Sequence, residues 1–242
     1  MLRTGPDAGA GTPVPGGAGG GGGGPAAVAR PARVLSDWLV RAVREDTRLQ
    51  PRLLRLADGG LLALDVDRWA GPVTAADRSL LSRARGAVLD VGCGPGRLTA
   101  ALHEHGVPVC GLDVLPAVPV LARRAGAAVH VGDVFGPVPG EGSWGTVLLA
   151  DGNLGIGGSP VRLLRRCAAL ARRDGVVLVE LQPVAGERPV TARLEGLGTT
   201  SAWFPWALVG ADAVAGVAAR AGLRVTEQWS AEGRDFAALV RA

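Results

Sequence analysis

Val88-Leu89-Asp90-Val91-Gly92-Cys93-Gly94-Pro95-Gly96-Arg97-Leu98-Thr99 joins a short apolar run to a helix-like stretch through three closely spaced glycines. The run at 87–91 has the length and composition of a parallel strand covered on both faces, and 97–105 reads as a helix. Gly92, Gly94 and Gly96 let the backbone turn tightly and come close to a ligand, while the helix start after them offers unpaired N–H groups to polar or anionic atoms.

Residues further along the chain give that turn its meaning. A second strand at 107–112 ends at Asp113, and a third at 127–131 ends at Gly132-Asp133. Both carboxylates fall at carboxyl ends of neighbouring strands, the edge at which open α/β sheets bind ligands. An acid after the second strand can accept both hydroxyl protons of a ribose, and one after the third can accept from an adenine amino group. Together they describe an adenosine pocket. A dinucleotide fingerprint would read Gly-x-Gly-x-x-Gly, whereas this chain has Gly-x-Gly-x-Gly and carries Asp90 within the first strand, where a carboxylate can face an ammonium. Each glycine or aspartate alone could be a turn former or helix cap.

Asp90 to Gly96 resembles the first motif of the class I S-adenosylmethionine-dependent methyltransferases. The resemblance continues through Gly111-Leu112-Asp113-Val114, the family's ribose position, and His130-Val131-Gly132-Asp133-Val134, its adenine position. Trp144-Gly145-Thr146-Val147-Leu148-Leu149-Ala150-Asp151 then looks like the fourth strand leading to the active-site loop. The resemblance covers 88–242. It implies S-adenosylmethionine as cofactor, held by Asp90, Gly92, Gly94, Gly96, Asp113, Val114, Asp133 and Val134. It also implies an α/β, Rossmann-like, seven-stranded and mostly parallel sheet of order 3-2-1-4-5-7-6, flanked by helices, with the last strand antiparallel. Alternation of strand and helix between 87 and 181 independently predicts a parallel sheet covered on both sides.

Around this core the chain divides into three. Residues 1–31 are dominated by glycine, alanine and proline and are expected to be disordered, as a linker or an overextended start of the reading frame. Residues 32–85 read as a cap. An amphipathic helix begins near 34, and a β-hairpin turns at Asp58-Gly59-Gly60, with a continued helix as the alternative. Asp67-Arg68-Trp69 and a helix start at Thr74-x-x-Asp77 come next. Residues 86–242 form the methyltransferase domain, interrupted near 183–208 by an insertion on the substrate side in which a second hairpin is expected.

On the acceptor side, the loop Asp151-Gly152-Asn153-Leu154-Gly155-Ile156-Gly157-Gly158 comes after the fourth strand, where the resemblance puts the transferable methyl group. Asp151 orients an acceptor or takes its proton, and the Asn153 amide holds a polar acceptor atom; equally, Asp151 caps a helix and the glycines only permit a tight loop. The loop lacks the Asp/Asn-Pro-Pro-aromatic signature of many enzymes that methylate exocyclic or side-chain amide nitrogens. Arg68 and Trp69 face the substrate or pack between cap and core. Trp203, Phe204 and Trp206 cluster in a chain with only 4% aromatic residues and form either an acceptor wall or a packing cluster.

Composition narrows the function classes. The 242 residues are 48% hydrophobic, enough for one α/β domain with additions. A net charge of +4 and a sequence pI of about 10.0 come entirely from arginine, mixed with acids, so no specific nucleic-acid surface is expected. Cys93, Cys110 and Cys167 form no paired spacing, which fits a reduced cytoplasmic protein, and no Cys, His and carboxylate cluster suggests a metal. No signal peptide or membrane span is read. The expected activity is methyl transfer to a small molecule. The rivals are a noncatalytic adenosine-ligand-binding protein on the same fold and a nicotinamide-dependent oxidoreductase.

Overall fold

The computed structural model describes residues 30–44, 52–123 and 128–242. The glycine-rich segment expected to be disordered lies outside them except at its last two positions.

Seven strands make the main sheet. β3 (Val88–Val91), β4 (Val109–Asp113), β5 (Val129–Val131), β6 (Trp144–Leu149) and β7 (Ala171–Leu181) run parallel; β11 (Leu223–Ala231) and β12 (Arg234–Arg241) complete it. Across the sheet the order is β5-β4-β3-β6-β7-β12-β11, with β12 antiparallel to both neighbours. Counted within this sheet alone that is 3-2-1-4-5-7-6. The order reverses between β3 and β6, so a crevice opens there at the carboxyl ends of the strands.

Helices cover both faces. α3 (Ala75–Leu81) and α4 (Arg97–Glu104) pack on one, burying Leu80, Leu98 and Leu102 against Val88, Leu148 and Phe236. α5 (Val118–Arg123) lies between β4 and β5 in the chain. α6 (Pro160–Leu170) and α7 (Val214–Arg220) pack on the other face, burying Leu163, Leu164 and Val217 against Leu149 and Val179. Full burial of each leucine stabilises the fold by about 1.5–3 kcal/mol. α3 starts as its sequence suggests, with Thr74 and Asp77 exchanging side-chain and backbone hydrogen bonds in a capping box. α6 starts on Ser159 with Pro160 at its first position, and stops at Leu170 because Ala171 is already extended and pairs with Trp144.

The cap holds the main departure from the sequence reading. α1 (Pro31–Arg44) and the hairpin strands β1 (Arg52–Leu56) and β2 (Leu61–Ala63) lie where they are expected, and a short helix not read from the sequence, α2 (Val66–Ala70), carries Arg68 and Trp69. The insertion folds as β8 (Glu187–Gly196), β9 (Thr199–Thr200) and β10 (Phe204–Val209). These are not two separate hairpins. β8 pairs with β10 on one edge and with β1 on the other, giving a second sheet of order β10-β8-β1-β2 with β9 alongside β8. Leu54 and Leu56 alternate inward from β1, and Ala192 and Leu194 from β8, so both strands bury the same face under α1 against Trp38 and Leu39. Arg55 and Glu195 close the seam with an ion pair of 2.7 Å.

Candidate active site

The glycine turn forms at the end of β3 because its three glycines take up positive φ, at 74°, 53° and 94°. At Gly92 a Cβ would lie 2.5 Å from the Asn153 amide nitrogen, so only glycine lets the loop after β6 approach. That nitrogen donates to the carbonyls of Val91 (3.0 Å) and Gly92 (2.9 Å). Asn153 therefore clamps the turn and does not present its amide nitrogen to an acceptor. Gly94 leaves open space where a Cβ would stand, and Gly96 serves as the first residue outside α4 and does not line the crevice.

Four carboxylates surround the turn in different states. Asp90 is 2% exposed and accepts from the Thr99 hydroxyl at 2.7 Å; burial, reinforced by the charges of Asp151 and Asp113, pushes its pKa up to about 6. Asp113, at the end of β4, accepts the N–H of Gly94 (2.8 Å) and of Leu115 (3.0 Å), and burial raises its pKa as well. Asp133 is exposed after β5 and accepts the Phe135 N–H at 2.9 Å. Asp151, after β6, sits at a positive φ of 53°, which costs a non-glycine residue about 1–3 kcal/mol and persists only where its surroundings hold it.

Those surroundings are a buried ionic network that sequence reading did not find. Arg97 bridges Asp151 (2.6 Å) and Asp77 of α3; Arg234 bridges Asp77 (2.8 Å) and Glu180 (2.7 Å). Arg68 of α2 reaches Asp151 at 3.2 Å, and the Asp151 N–H donates to Glu180 at 2.6 Å. Burial pushes the Asp77 carboxyl up, but the Thr74 N–H and the Arg97 and Arg234 guanidiniums outweigh it and hold the pKa at about 2. For Asp151, burial and Glu180 raise the pKa against the pull of Arg97, Arg68 and Arg234. Arg97 comes directly after the glycine motif and was readable as a candidate, whereas Arg234 carries no local signal.

Arg68, Arg97, Asp151 and Glu180 of this network floor a cavity of about 710 Å³. Asp90, Gly92, Gly94, Asp113, Val114, Asp133 and Val134 line one part. Asp151, Asn153, Arg68, Trp69 and Trp206 line it as well, so the structure brings the expected cofactor and acceptor residues into one space. The roof comes from α1, the second sheet and α2. Trp203, like Gly96, stays outside the lining. It precedes β10, lies 44% exposed, and stacks under the Arg193 guanidinium at 4.7 Å; strand periodicity turns Phe204 and Trp206 inward instead, ring edge to ring face at 6.0 Å. Among the described residues no group of three potential metal ligands occurs, and no helix is long and apolar enough to cross a membrane.

Residues 88–175 match the family model of the methyltransferase domain, so the chain carries a methyltransferase domain with the class I S-adenosylmethionine-dependent fold. Solved structures agree on the fold. An S-adenosylmethionine-dependent methyltransferase from Bacteroides fragilis, bound to S-adenosylhomocysteine, superposes with a TM-score of 0.71 at 19% identity over 89% of this chain and 98% of that one. The 1,6-didemethyltoxoflavin-N1-methyltransferase of Burkholderia thailandensis gives 0.57 at 20% identity over 90% and 92%. The CcbJ methyltransferase of Streptomyces caelestis gives 0.54 at 19% over 72% and 92%. No curated protein sequence matches the chain.

Proposed function

We propose that this protein transfers the methyl group of S-adenosylmethionine to a small-molecule acceptor and releases S-adenosylhomocysteine, acting in the cytoplasm. The observation that carries the reading is the convergence of Asp90, Asp113 and Asp133, at the ends of three adjacent strands, on a glycine turn inside one roofed cavity. The cradle suits the cofactor chemically. Asp90 faces its ammonium, Asp113 has carboxylate lone pairs beyond its two backbone bonds for the ribose hydroxyls, and exposed Asp133 accepts from the adenine amine. Val114 and Val134 flank the adenosine. Gly94, with nothing where its Cβ would stand, lets the methionine tail approach the backbone. The small-molecule substrate and the cytoplasmic setting have separate support: a roof that encloses the site, and three cysteines that are all free.

The sulfonium supplies an electrophilic methyl group with a good leaving group already attached. The protein's part is alignment and exclusion of water. Asp151, locked by Arg97 and facing Arg68, fixes the loop next to the methyl position; Asn153 ties that loop to the glycine turn, and Trp69 and Trp206 wall the acceptor.

Calorimetry with S-adenosylmethionine, S-adenosylhomocysteine and NADH tests this directly. The first two should bind and Asp113→Ala should weaken them at least tenfold. Binding of NADH alone, or an Asp113→Ala protein with undiminished affinity, contradicts the reading. Binding without turnover, given the true acceptor, would instead favour a noncatalytic role.

A further inference from the structure

The acceptor half of the cavity is defined by what its polar groups are already doing. The two arginines at its floor, Arg68 and Arg97, face carboxylates, and the exposed Arg30 is the remaining arginine among the described lining residues. Among the described residues no inner cation is therefore left to neutralise an anionic substrate. Above the floor the wall is apolar: Leu35 and Leu39 from α1, Leu62 from β2, Leu194 from β8, and Phe204 and Trp206 from β10. Outside the ionic network, two buried polar atoms of the lining lack a partner, the indole N–H of Trp69 and the amide oxygen of Gln182. One is a donor and the other an acceptor, and a buried polar atom left unpaired destabilises the site until something binds it.

Among the described residues the same lining supplies no uncommitted base. The chain has no tyrosine, and its histidines lie outside the cavity. Burial keeps the Cys93 thiol protonated. Asp90 is bonded to Thr99, Asp113 to two backbone N–H groups, and Asp151 and Glu180 to arginines. Asp133 stands beyond the third strand at the adenosine end, and Asp65 caps α2 with its side chain 60% exposed to water. An acceptor that must lose a proton before it can attack has no partner for it among these described residues.

Building on the function proposed above, we infer that the acceptor is an uncharged, mainly apolar ring compound, methylated at a nitrogen whose lone pair is available without prior deprotonation. The lone pair forms the new N–C bond as the C–S bond breaks, and the electron pair of that bond stays on sulfur. Any proton on the nitrogen leaves afterwards to water. The Trp69 N–H and the Gln182 oxygen orient the ring through one acceptor and one donor on its edge, and Trp206 stacks on it or closes against its rim.

Four probes in the presence of saturating S-adenosylhomocysteine separate the possibilities by calorimetry: 1-naphthylamine, 1-naphthol, 1-naphthoate and glucosamine. The first two should bind, and the naphthoate and the amino sugar should bind at least tenfold more weakly. Trp206→Leu and Leu62→Glu should each weaken 1-naphthylamine at least tenfold, with S-adenosylhomocysteine affinity held within twofold as the check on folding. Trp69→Phe, which removes only the N–H, should cost about three- to tenfold. With S-adenosylmethionine in place of the product, 1-naphthylamine should be methylated at a rate that is flat between pH 7 and 9, and 1-naphthol at least tenfold more slowly. Naphthoate or glucosamine binding as tightly as the amine overturns the inference. So does equal methylation of the naphthol, a rate rising steeply with pH, or failure of every ring probe to bind protein that holds S-adenosylhomocysteine. Failure to bind S-adenosylhomocysteine itself would overturn the function proposed above and this inference with it.

Discussion

Asp90 and Asp77 are both buried carboxylates, yet burial ends in opposite outcomes. Asp77 has two guanidiniums and a backbone N–H, so its folded pKa of about 2 lies below the ordinary value. Its contribution to stability is complete above pH 4 and lost as pH falls toward 2. Asp77→Ala leaves two arginines partly uncompensated in a buried site, and chemical denaturation should show a loss of about 3–5 kcal/mol. Asp90 has one hydroxyl, and its folded pKa of about 6 lies above the ordinary value. Folding therefore takes up a proton between pH 4 and 6, and above pH 6 the ionised side chain costs stability in the ligand-free protein. Asp90→Asn should raise the ligand-free melting temperature at pH 8 by a few degrees while weakening S-adenosylmethionine at least tenfold. Wild-type affinity for that ligand should fall as pH drops below 6, because a protonated Asp90 no longer attracts an ammonium; affinity unchanged down to pH 5 would refute the pairing. Asp90, Asp113 and Asp133 were legible because each lies at the end of its strand or within a residue or two of it. Glu180 and Arg234 were not assignable, since their partners stand far along the chain, 157 positions in the case of Arg234 and Asp77.

Between elements, contact is set by small residues. A Cβ on Gly155 would collide with the Ala207 carbonyl oxygen and lie 2.5 Å from the Trp206 ring, and one on Gly158 would lie 2.8 Å from Pro205. The loop after β6 thus carries β10 directly on its back. Gly155→Ala, at a backbone conformation any residue can adopt, should act by displacing β10 alone. It should cost about 1–3 kcal/mol by overpacking and alter the near-ultraviolet signal of the tryptophans, with S-adenosylhomocysteine affinity reduced less than acceptor affinity. The glycines of this loop were visible in the sequence as turn formers; that two of them serve close approach was not, because the approaching strand lies about fifty residues away. The two hairpins were legible for the same local reason as the turn. Their union through β1 and β8 was not, because alternating leucines identify a buried face without naming the strand that pairs beside it. Trp203 was grouped with Phe204 and Trp206 because a run of aromatic residues gives no hint of where the strand begins.

For the molecule as a whole, a ligand that binds only the folded state stabilises it by mass action. S-adenosylhomocysteine at a hundred times its dissociation constant should add about 2.7 kcal/mol. A chain of this size should then melt about 5–10 °C higher in a thermal scan. A shift of that size in the wild type and its absence in Asp113→Ala would link the heat stability of the fold to the adenosine end of the cavity.

The seam between β1 and β8 also sets a timetable. Arg55 and Glu195, which close it, are 140 positions apart. At a ribosomal rate of about 5–20 residues per second, the N-terminal hairpin waits about 7–28 s for the strand that covers its edge. During that interval Leu54 and Leu56 stand without their neighbour, and the loop to be closed is long, so the roof closes only after the strands β3 to β6 that carry the crevice have been made. A nascent chain arrested before residue 187 should accordingly recruit chaperones at the hairpin, and release past residue 209 should end that dependence.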